Sequence, residues 1–207
     1  MTIIATLAII LAGSIAVFIT LIRHATIGRQ IERLQQWASQ HRAQIELVSS
    51  HLEILSPFHP KISLAIRGEG WTLARLTTDP PIEAKGKTPR WHLLAVDLDV
   101  IWPSTGLRPV RHVVSILDLF GLSSYPSLTA GEDFVIFGAD PAGAESLSDS
   151  NVHGVLPPDV GLLLHEHTLL LDFSGREFEG PELNRILELA NRLTPELSLQ
   201  RPSRPKE

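Results

Sequence analysis

The chain has 207 residues, no cysteine and a formal net charge of −5 at pH 7. The lack of cysteine excludes disulfides, thiolate catalysis and cysteine-ligated zinc or iron–sulfur clusters. Charge is divided unevenly, because residues 23–47 contain four arginines and two glutamates, whereas residues 48–207 carry a net charge of −7. So acidic a domain lacks the basic face that nucleic-acid binding requires, and we expect no nucleic-acid partner.

The first segment of the chain is apolar and has no charged residue or histidine before Arg23. Residues 3–22 would form a helix about 30 Å long, which matches the hydrocarbon core of a bilayer. A cleaved signal peptide is the alternative, but it would have Lys or Arg before a shorter apolar run and a small-residue cleavage site after it. The sequence therefore predicts a single uncleaved transmembrane anchor in residues 1–22, with the lipid bilayer as its partner.

The charges next to the anchor predict its orientation. Arginines follow the apolar segment and none precedes it, and positively charged flanks stay in the cytoplasm. We therefore expect a single-pass protein of the cell inner membrane, with the N-terminus outside and the C-terminal domain in the cytoplasm. The alternative is a periplasmic domain on the other side of the membrane.

Residues 23–48 have the apolar spacing of a juxtamembrane helix. The residues that recur every three or four positions, as in a heptad repeat, are Ile27, Ile31, Leu34, Ala38, His41, Ile45 and Val48. One interpretation is a stalk through which copies of the chain associate into a homo-oligomer. The other is a stripe that packs on the protein's own domain, and the shortness of the run favours this second interpretation.

Residues 49–195 are predicted to form one α+β domain that begins with strands. Alternating apolar residues on both sides of Gly68-Glu69-Gly70 predict a hairpin over residues 61–77. A polar, proline-rich loop is expected at 78–90, and residues 91–102 form a third predicted strand. Residues 103–109 are expected to be a turn, followed by a strand or short helix at 110–119.

The second half of the domain is predicted to contain short strands and two helices. A strand at 134–137 precedes a helix for which Asp140 is the N-cap and Pro141 the first residue. A second hairpin is expected around His165-Glu166-His167. The last helix opens at Gly180, and its predicted apolar stripe is Leu183, Ile186, Leu187, Ala190 and Leu193.

These elements together predict an α+β fold, in which an N-terminal transmembrane helix is followed by a mostly antiparallel sheet packed with a C-terminal helix. The predicted divisions are the anchor at 1–22, the juxtamembrane helix at 23–48, the soluble domain at 49–195 and a flexible tail at 196–207. The tail is expected to fray because it is polar and contains prolines.

Three segments of the domain have a distinctive pattern: SLAIRGEGWTLARL, LTAGEDFVIFGADPAGAESL and GPELNRILELANRL. The middle segment contains Gly131, Asp133, Phe134, Phe137, Gly138 and Asp140. With these segments, residues 61–195 resemble a diffuse group of uncharacterised bacterial proteins that are often membrane-anchored. In that group a similar stretch precedes a helix, a hairpin and a closing helix, although Val135 here replaces an Asp. The resemblance implies no activity.

Two pairs of side chains are candidates for chemistry. His165 and His167 alternate, so on a strand both imidazoles would share a face and could bind a metal; alternatively, they are polar residues at a hairpin tip. Asp97 and Asp99 also alternate and resemble a two-carboxylate metal clamp, but a half-solvated strand accounts for them without function. Neither pair has a third ligand at a diagnostic spacing.

The sequence contains no nucleophile elbow, no phosphate-binding Gly-Lys-Ser/Thr and no zincin helix. Trp71, Trp91 and Trp102 are expected to pack in the core or on the sheet. The alternative, functional interpretation is that they line a ligand pocket. We therefore assign no catalytic residue, no cofactor-binding residue, no metal ligand and no cofactor.

The anchor, the acidic domain and the missing catalytic motifs favour a non-enzymatic role. The expected function is protein–protein interaction, as an accessory subunit of a membrane-associated complex, with another membrane-associated protein as partner. The alternative is a membrane-anchored small hydrolase or metal-dependent enzyme that uses His165, His167 or the Asp97 and Asp99 face.

Overall fold

A computed structural model describes residues 28–46, 61–77, 90–111, 124–125 and 127–200. The predicted anchor at 1–22 lies outside these ranges, as do residues 78–89 of the loop predicted at 78–90 and most of the segment at 110–119. Among the described residues, no helix has the length and apolar character needed to cross a bilayer. The chain divides into two compact units, Met1–His41 and Arg42–Glu207.

The first unit is described as a single helix, α1, over residues 28–40. Near its end the Trp37 and His41 rings stack with centroids 4.2 Å apart, and His41 Nδ1 lies 2.9 Å from the Trp37 carbonyl oxygen. Arg42 has a φ of 52°, the left-handed conformation that commonly ends a helix. The predicted continuation of the helix to residue 48 is therefore wrong, because Gln44–Glu46 forms strand β1.

The second unit contains a mostly antiparallel sheet, as predicted. Strand β1 pairs with β2 (Lys61–Gly68), which forms a hairpin with β3 (Trp71–Thr77). This confirms the predicted hairpin at 61–77. Its turn uses Gly70 at a φ of 72°, and the Trp71 ring covers Gly68 so closely that a Cβ there would lie 2.1 Å from the indole.

Strand β4 (Arg90–Pro109) is the centre of the sheet. Along one edge of β4, residues 90–96 pair with β3 and residues 105–109 pair with β6 (Phe134–Gly138). Its other edge pairs with β7 (Gly161–Asp172). The predicted turn at 103–109 is wrong, because the strand continues through it. Pro103 is accommodated at a register shift, where no ladder hydrogen bond from its nitrogen is required.

The remaining strand, β5 (Ser127–Ala130), pairs with β6 across a turn that contains Gly131 at a φ of 64°. The strand order is therefore β1-β2-β3-β4-β6-β5, with β7 on the opposite edge of β4.

The ribbon formed by β4 and β7 bends sharply at its middle. A straight strand as long as β7 would extend about 40 Å, yet a Cβ on Gly161 would lie only 3.4 Å from the Cβ of Asp172, at the strand's other end. The register shifts twice between Asp97 and Thr105, which is where the bend occurs. The bend brings residues from both halves of the sheet into one core cluster: Ala74, Leu76, Trp91, Leu93, Ala95, Phe137, Leu163 and Leu170.

Helix α2 (Pro141–Asp149) packs against β4, β5 and β6. The Asp140 side chain accepts a hydrogen bond of 3.0 Å from the Ala142 N–H, which confirms the predicted cap. Gly143 allows the helix to approach β4 closely, because a Cβ there would lie 2.5 Å from Pro103 Cγ. A short helix, α3 (Val152–Val155), then leads to β7.

Helix α4 (Gly180–Leu199) contacts β4 and β7, as expected of the closing helix. Its buried residues are Leu183, Ile186, Leu189, Ala190, Leu193 and Leu197. The predicted stripe is largely confirmed, although Leu187 is only half-buried and Leu189 takes its place. The helix continues through Pro195 to Leu199, so residues 196–199 of the predicted flexible tail are helical; residues 201–207 of that tail lie outside the described ranges.

Candidate functional site

The bend of the β4–β7 ribbon brings the two predicted pairs of site residues to one place. Asp97 is opposite Thr168 and Trp102 is opposite Glu166 in the register, so Asp97, Asp99, His165 and His167 share one corner of the sheet. The prediction of a hairpin around residues 165–167 is wrong, because its two expected arms are parts of a single strand. Both flanking segments belong to β7 and bond to β4, and the polar residues lie where the ribbon bends.

The two histidines are held by different partners. His165 Nδ1 is 2.7 Å from the Ser104 hydroxyl oxygen, whereas His167 Nδ1 is 3.3 Å from the Leu98 carbonyl oxygen. Within the described ranges, no group of three or more His, Asp or Glu side chains is arranged to hold a metal ion. The candidate pair His165 and His167 thus has no third metal ligand among these residues.

The corner is strongly acidic. We define the acidic corner as residues 68–71, 97–103 and 165–168. The first two segments are joined by a 3.0 Å hydrogen bond from the Asp97 N–H to the Gly70 carbonyl oxygen, and the last two lie side by side in the pairing of β4 with β7. Its exposed carboxylates are Glu69, Asp97, Asp99 and Glu166. None of its residues is Lys or Arg. Arg67, just outside it, lies 3.2 Å from Glu46.

One large apolar side chain stands among these charges. Ile101 is 66% exposed, whereas its neighbour Trp102 is 1% exposed. The Trp102 indole N–H is buried without a hydrogen-bond partner in the described structure. Glu166, which pairs with Trp102 in the register, has a φ of 50°, a backbone conformation that is unfavourable for an L-residue and is common at functional sites.

The backbone at the corner is also irregular. Strand β3 pairs with β4 only up to Val96, and β6 pairs with β4 only from Thr105 onward. Residues 98–101 have no register partner on β7 either. In the described sheet, residues 98–101 of β4 therefore have no paired residue on either neighbouring side.

A second polar cluster lies where β7 connects to α4. The Arg176 guanidinium donates two hydrogen bonds to Asp159, at 2.6 and 2.7 Å, and one of 2.6 Å to Glu182. The hydrogen bonds with Asp159 raise the pKa of Arg176 most strongly, partial burial opposes them, and Glu182 adds to the increase. The Arg176 carbonyl oxygen is 2.8 Å from His92 Nδ1, so this residue joins α4 to β4.

An open depression of about 530 Å³ lies beside this cluster. It is lined by Gly175, Arg176, Glu177, Glu179, Pro181, Glu182 and Arg185. Its two arginines pair with carboxylates of the same chain. The cluster therefore stabilises the connection, and both of its arginines are paired within the chain.

The three tryptophans do not line one pocket. Trp91 belongs to the core cluster between the sheet halves, Trp102 is buried at the bend, and Trp71 covers Gly68. These positions agree with the packing role predicted for them.

Sequence reasoning missed Glu69, Ile101 and Glu166 as site residues. Glu69 and Glu166 were assigned to turns, and Ile101 to a regular strand. One signal was available for Ile101, because the alternation of Leu98, Val100 and Trp102 with Asp97 and Asp99 puts Ile101 on the face of the two carboxylates.

Comparison with known proteins gives one structural likeness. No protein-family model matches the chain, and no curated protein matches it. A crystal structure of the mycobacterial trehalose monomycolate transport factor A, TtfA, is similar with a TM-score of 0.53 at 12% sequence identity. The likeness covers 83% of this chain and 96% of that one. At this identity it is a likeness of fold, over nearly the whole length of the transport factor.

Proposed function

We propose that this chain is an accessory protein of a membrane-associated transport complex, in which its α+β domain binds another protein. The observation that carries the proposal is the fold shared with a transport factor over most of both chains. The apolar segment before Arg23 supports it, since it would hold the domain at the bilayer surface. In this proposal the anchor spans the inner membrane and the domain is cytoplasmic, as the arginines after residue 22 favour.

The acidic corner is the part of the described domain best suited to contact a partner. It combines exposed carboxylates, a 66% exposed isoleucine and backbone outside the ladder. Binding surfaces are commonly built this way, with an apolar anchor inside a polar rim. The alternative is a hydrolase or metal-dependent enzyme that uses His165, His167 or the Asp97 and Asp99 face; it has less support, because no group of three His, Asp or Glu side chains in the described ranges is arranged to hold a metal ion.

The experiment is purification of the tagged full chain from its own membranes in a mild detergent, followed by quantitative mass spectrometry. The proposal expects one membrane-associated protein to be recovered in a fixed ratio to the chain. A tagged single-pass protein of the same membrane, purified in parallel, is the control for nonspecific recovery. Recovery of the same proteins in the same amounts with both baits would contradict the proposal.

A further inference from the structure

We propose that the acidic corner binds a basic segment of the partner protein, with Ile101 as its apolar anchor. This inference rests on the proposed function, because it specifies the chemistry of the partner that the accessory role requires. It does not involve the depression beside Arg176, whose cations are already paired within the chain.

Charge complementarity identifies the partner segment. The four exposed carboxylates of the corner are Glu69, Asp97, Asp99 and Glu166, and the corner contains no Lys or Arg. The register and the bond from Asp97 to Gly70 hold the three segments together. Such a surface attracts a cationic segment and repels an acidic one, which provides both orientation and selectivity.

Ile101 makes the surface suitable for a polypeptide rather than a simple cation. Its 66% exposure leaves an aliphatic side chain among the carboxylates, and a partner's apolar side chain would remove it from water. A divalent cation would gain nothing from this residue. It would also lack a site, because no group of three His, Asp or Glu side chains of the described structure is arranged to hold a metal ion.

The irregular backbone provides a second feature that favours a polypeptide. Residues 98–101 have no register partner on either edge of β4 in the described sheet. The Leu98 carbonyl oxygen lies 3.3 Å from His167 Nδ1, and in this proposal the main chain of the other three residues pairs with the incoming segment. Addition of a peptide to exposed strand backbone is a common recognition mode. Glu166, whose φ is 50°, lies at the bend of β7 opposite Trp102.

The test compares two full-length variants with the same change in charge. The corner variant carries Glu69→Gln, Asp97→Asn, Asp99→Asn and Glu166→Gln. The control variant neutralises four exposed acids elsewhere: Glu132→Gln, Glu145→Gln, Asp149→Asn and Glu188→Gln. Ile101→Ser is matched with Leu199→Ser, because Leu199 is 86% exposed outside the corner.

The first measurement uses a labelled synthetic peptide in which lysines alternate with threonines around a central leucine. Its binding to each full-length protein in a neutral detergent is followed by fluorescence anisotropy. We expect the corner variant to bind about tenfold more weakly than the wild type, and the control variant to bind within about twofold. Raising the salt from about 0.05 to about 0.5 M should weaken wild-type binding, because screening shortens the range of the charges.

Three results would overturn the inference. The first is an equal loss of affinity in the corner and control variants, which would indicate a general charge effect. The second is equal binding of a peptide with glutamate in place of lysine. The third is equal loss in Ile101→Ser and Leu199→Ser. Matching thermal unfolding of all variants shows that any loss of binding is not a loss of folding.

The second measurement separates this inference from the proposed function. If the wild type and the corner variant both retain the same partner in a mild detergent, the accessory role stands and the acidic corner is not its binding surface. If the wild type retains no partner, the accessory role fails, and the peptide measurement alone decides whether the corner binds basic segments. Loss of the partner in the corner variant but not in the control variant supports both.

Discussion

Replacement of Gly143 by alanine tests how α2 is held against the bend of β4. A Cβ at this position would lie 2.5 Å from Pro103 Cγ and 2.7 Å from Thr105 Oγ1. Both contacts are far shorter than normal van der Waals separation. Neither neighbour can move easily, because Pro103 is a rigid ring and Thr105 is a fully buried residue paired with β6 and β7.

The expected effect is the difference between two opposing terms. Alanine in a helix interior is favoured over glycine by about 1 kcal/mol. Overpacking of a well-packed core costs about 1–3 kcal/mol, and the two short contacts place Gly143→Ala near the upper value. We therefore expect a net loss of about 2 kcal/mol, which for a domain of this size lowers the melting temperature by roughly 4–8 °C.

The assay is thermal unfolding of the full chain in detergent, followed by circular dichroism. Gly154→Ala is the matched control, because a Cβ there would meet only the Asn151 side-chain oxygen at 3.0 Å, and that side chain is free to rotate. We expect the control to shift the melting temperature by less than about 2 °C. A Gly143→Ala protein as stable as the wild type would refute the close packing of α2 on β4.

Three further substitutions test other parts of the structure. Arg176→Gln should lose about 2 kcal/mol of unfolding free energy, measured in urea, because it removes three hydrogen bonds to two carboxylates. In the control Arg185→Gln the replaced side chain is 72% exposed, so the loss should be less than about 0.5 kcal/mol. Equal losses in the two variants would contradict the Arg176 network. Glu166→Gly should stabilise the chain by up to about 1 kcal/mol, because glycine adopts a φ of 50° without strain. The control Glu145→Gly, within α2, should lose about 1 kcal/mol of unfolding free energy. Destabilisation by both substitutions would argue against backbone strain at Glu166. Thr105→Val should be neutral or stabilise by up to about 1 kcal/mol, because the Oγ1 is buried without a partner in the described structure. A valine variant clearly less stable than the wild type would show that this hydroxyl is bonded.

The parts of the fold that local sequence determines were predicted well. The hairpin at 61–77 follows from alternation around two glycines, and α2 follows from the Asp140-Pro141 start signal. Helix α4 follows from its apolar periodicity. In each case the decisive residues lie within a few positions of one another, so the sequence contains the full signal.

The bend of the sheet could not be predicted, because it depends on pairing between distant segments. Pro103 and Pro109 look like turn residues, yet Pro103 lies within β4 at a register shift and Pro109 is the last residue of the strand. A short polar segment between two apolar ones, as at residues 165–167, is compatible with either a hairpin tip or a bend within one strand. Only the pairing of β4 with β7 distinguishes the two.

The candidate site depended on the same long-range pairing. The sequence identified the Asp97 and Asp99 pair and the His165 and His167 pair, but it could not show that they are neighbours. The exposure of Ile101 was readable from the sequence, because Asp97, Asp99 and Ile101 alternate with the buried Leu98, Val100 and Trp102. Strand alternation therefore puts Ile101 on the face of the two carboxylates.

The most direct test of the accessory role is the molar mass of the particle that the full chain forms after purification in a mild detergent. Light scattering with the detergent contribution subtracted gives the protein mass, and mass spectrometry gives its composition. The account predicts a complex in which this chain and another membrane-associated protein are present in a whole-number ratio. A clean particle that contains this chain alone, as a monomer, would contradict it.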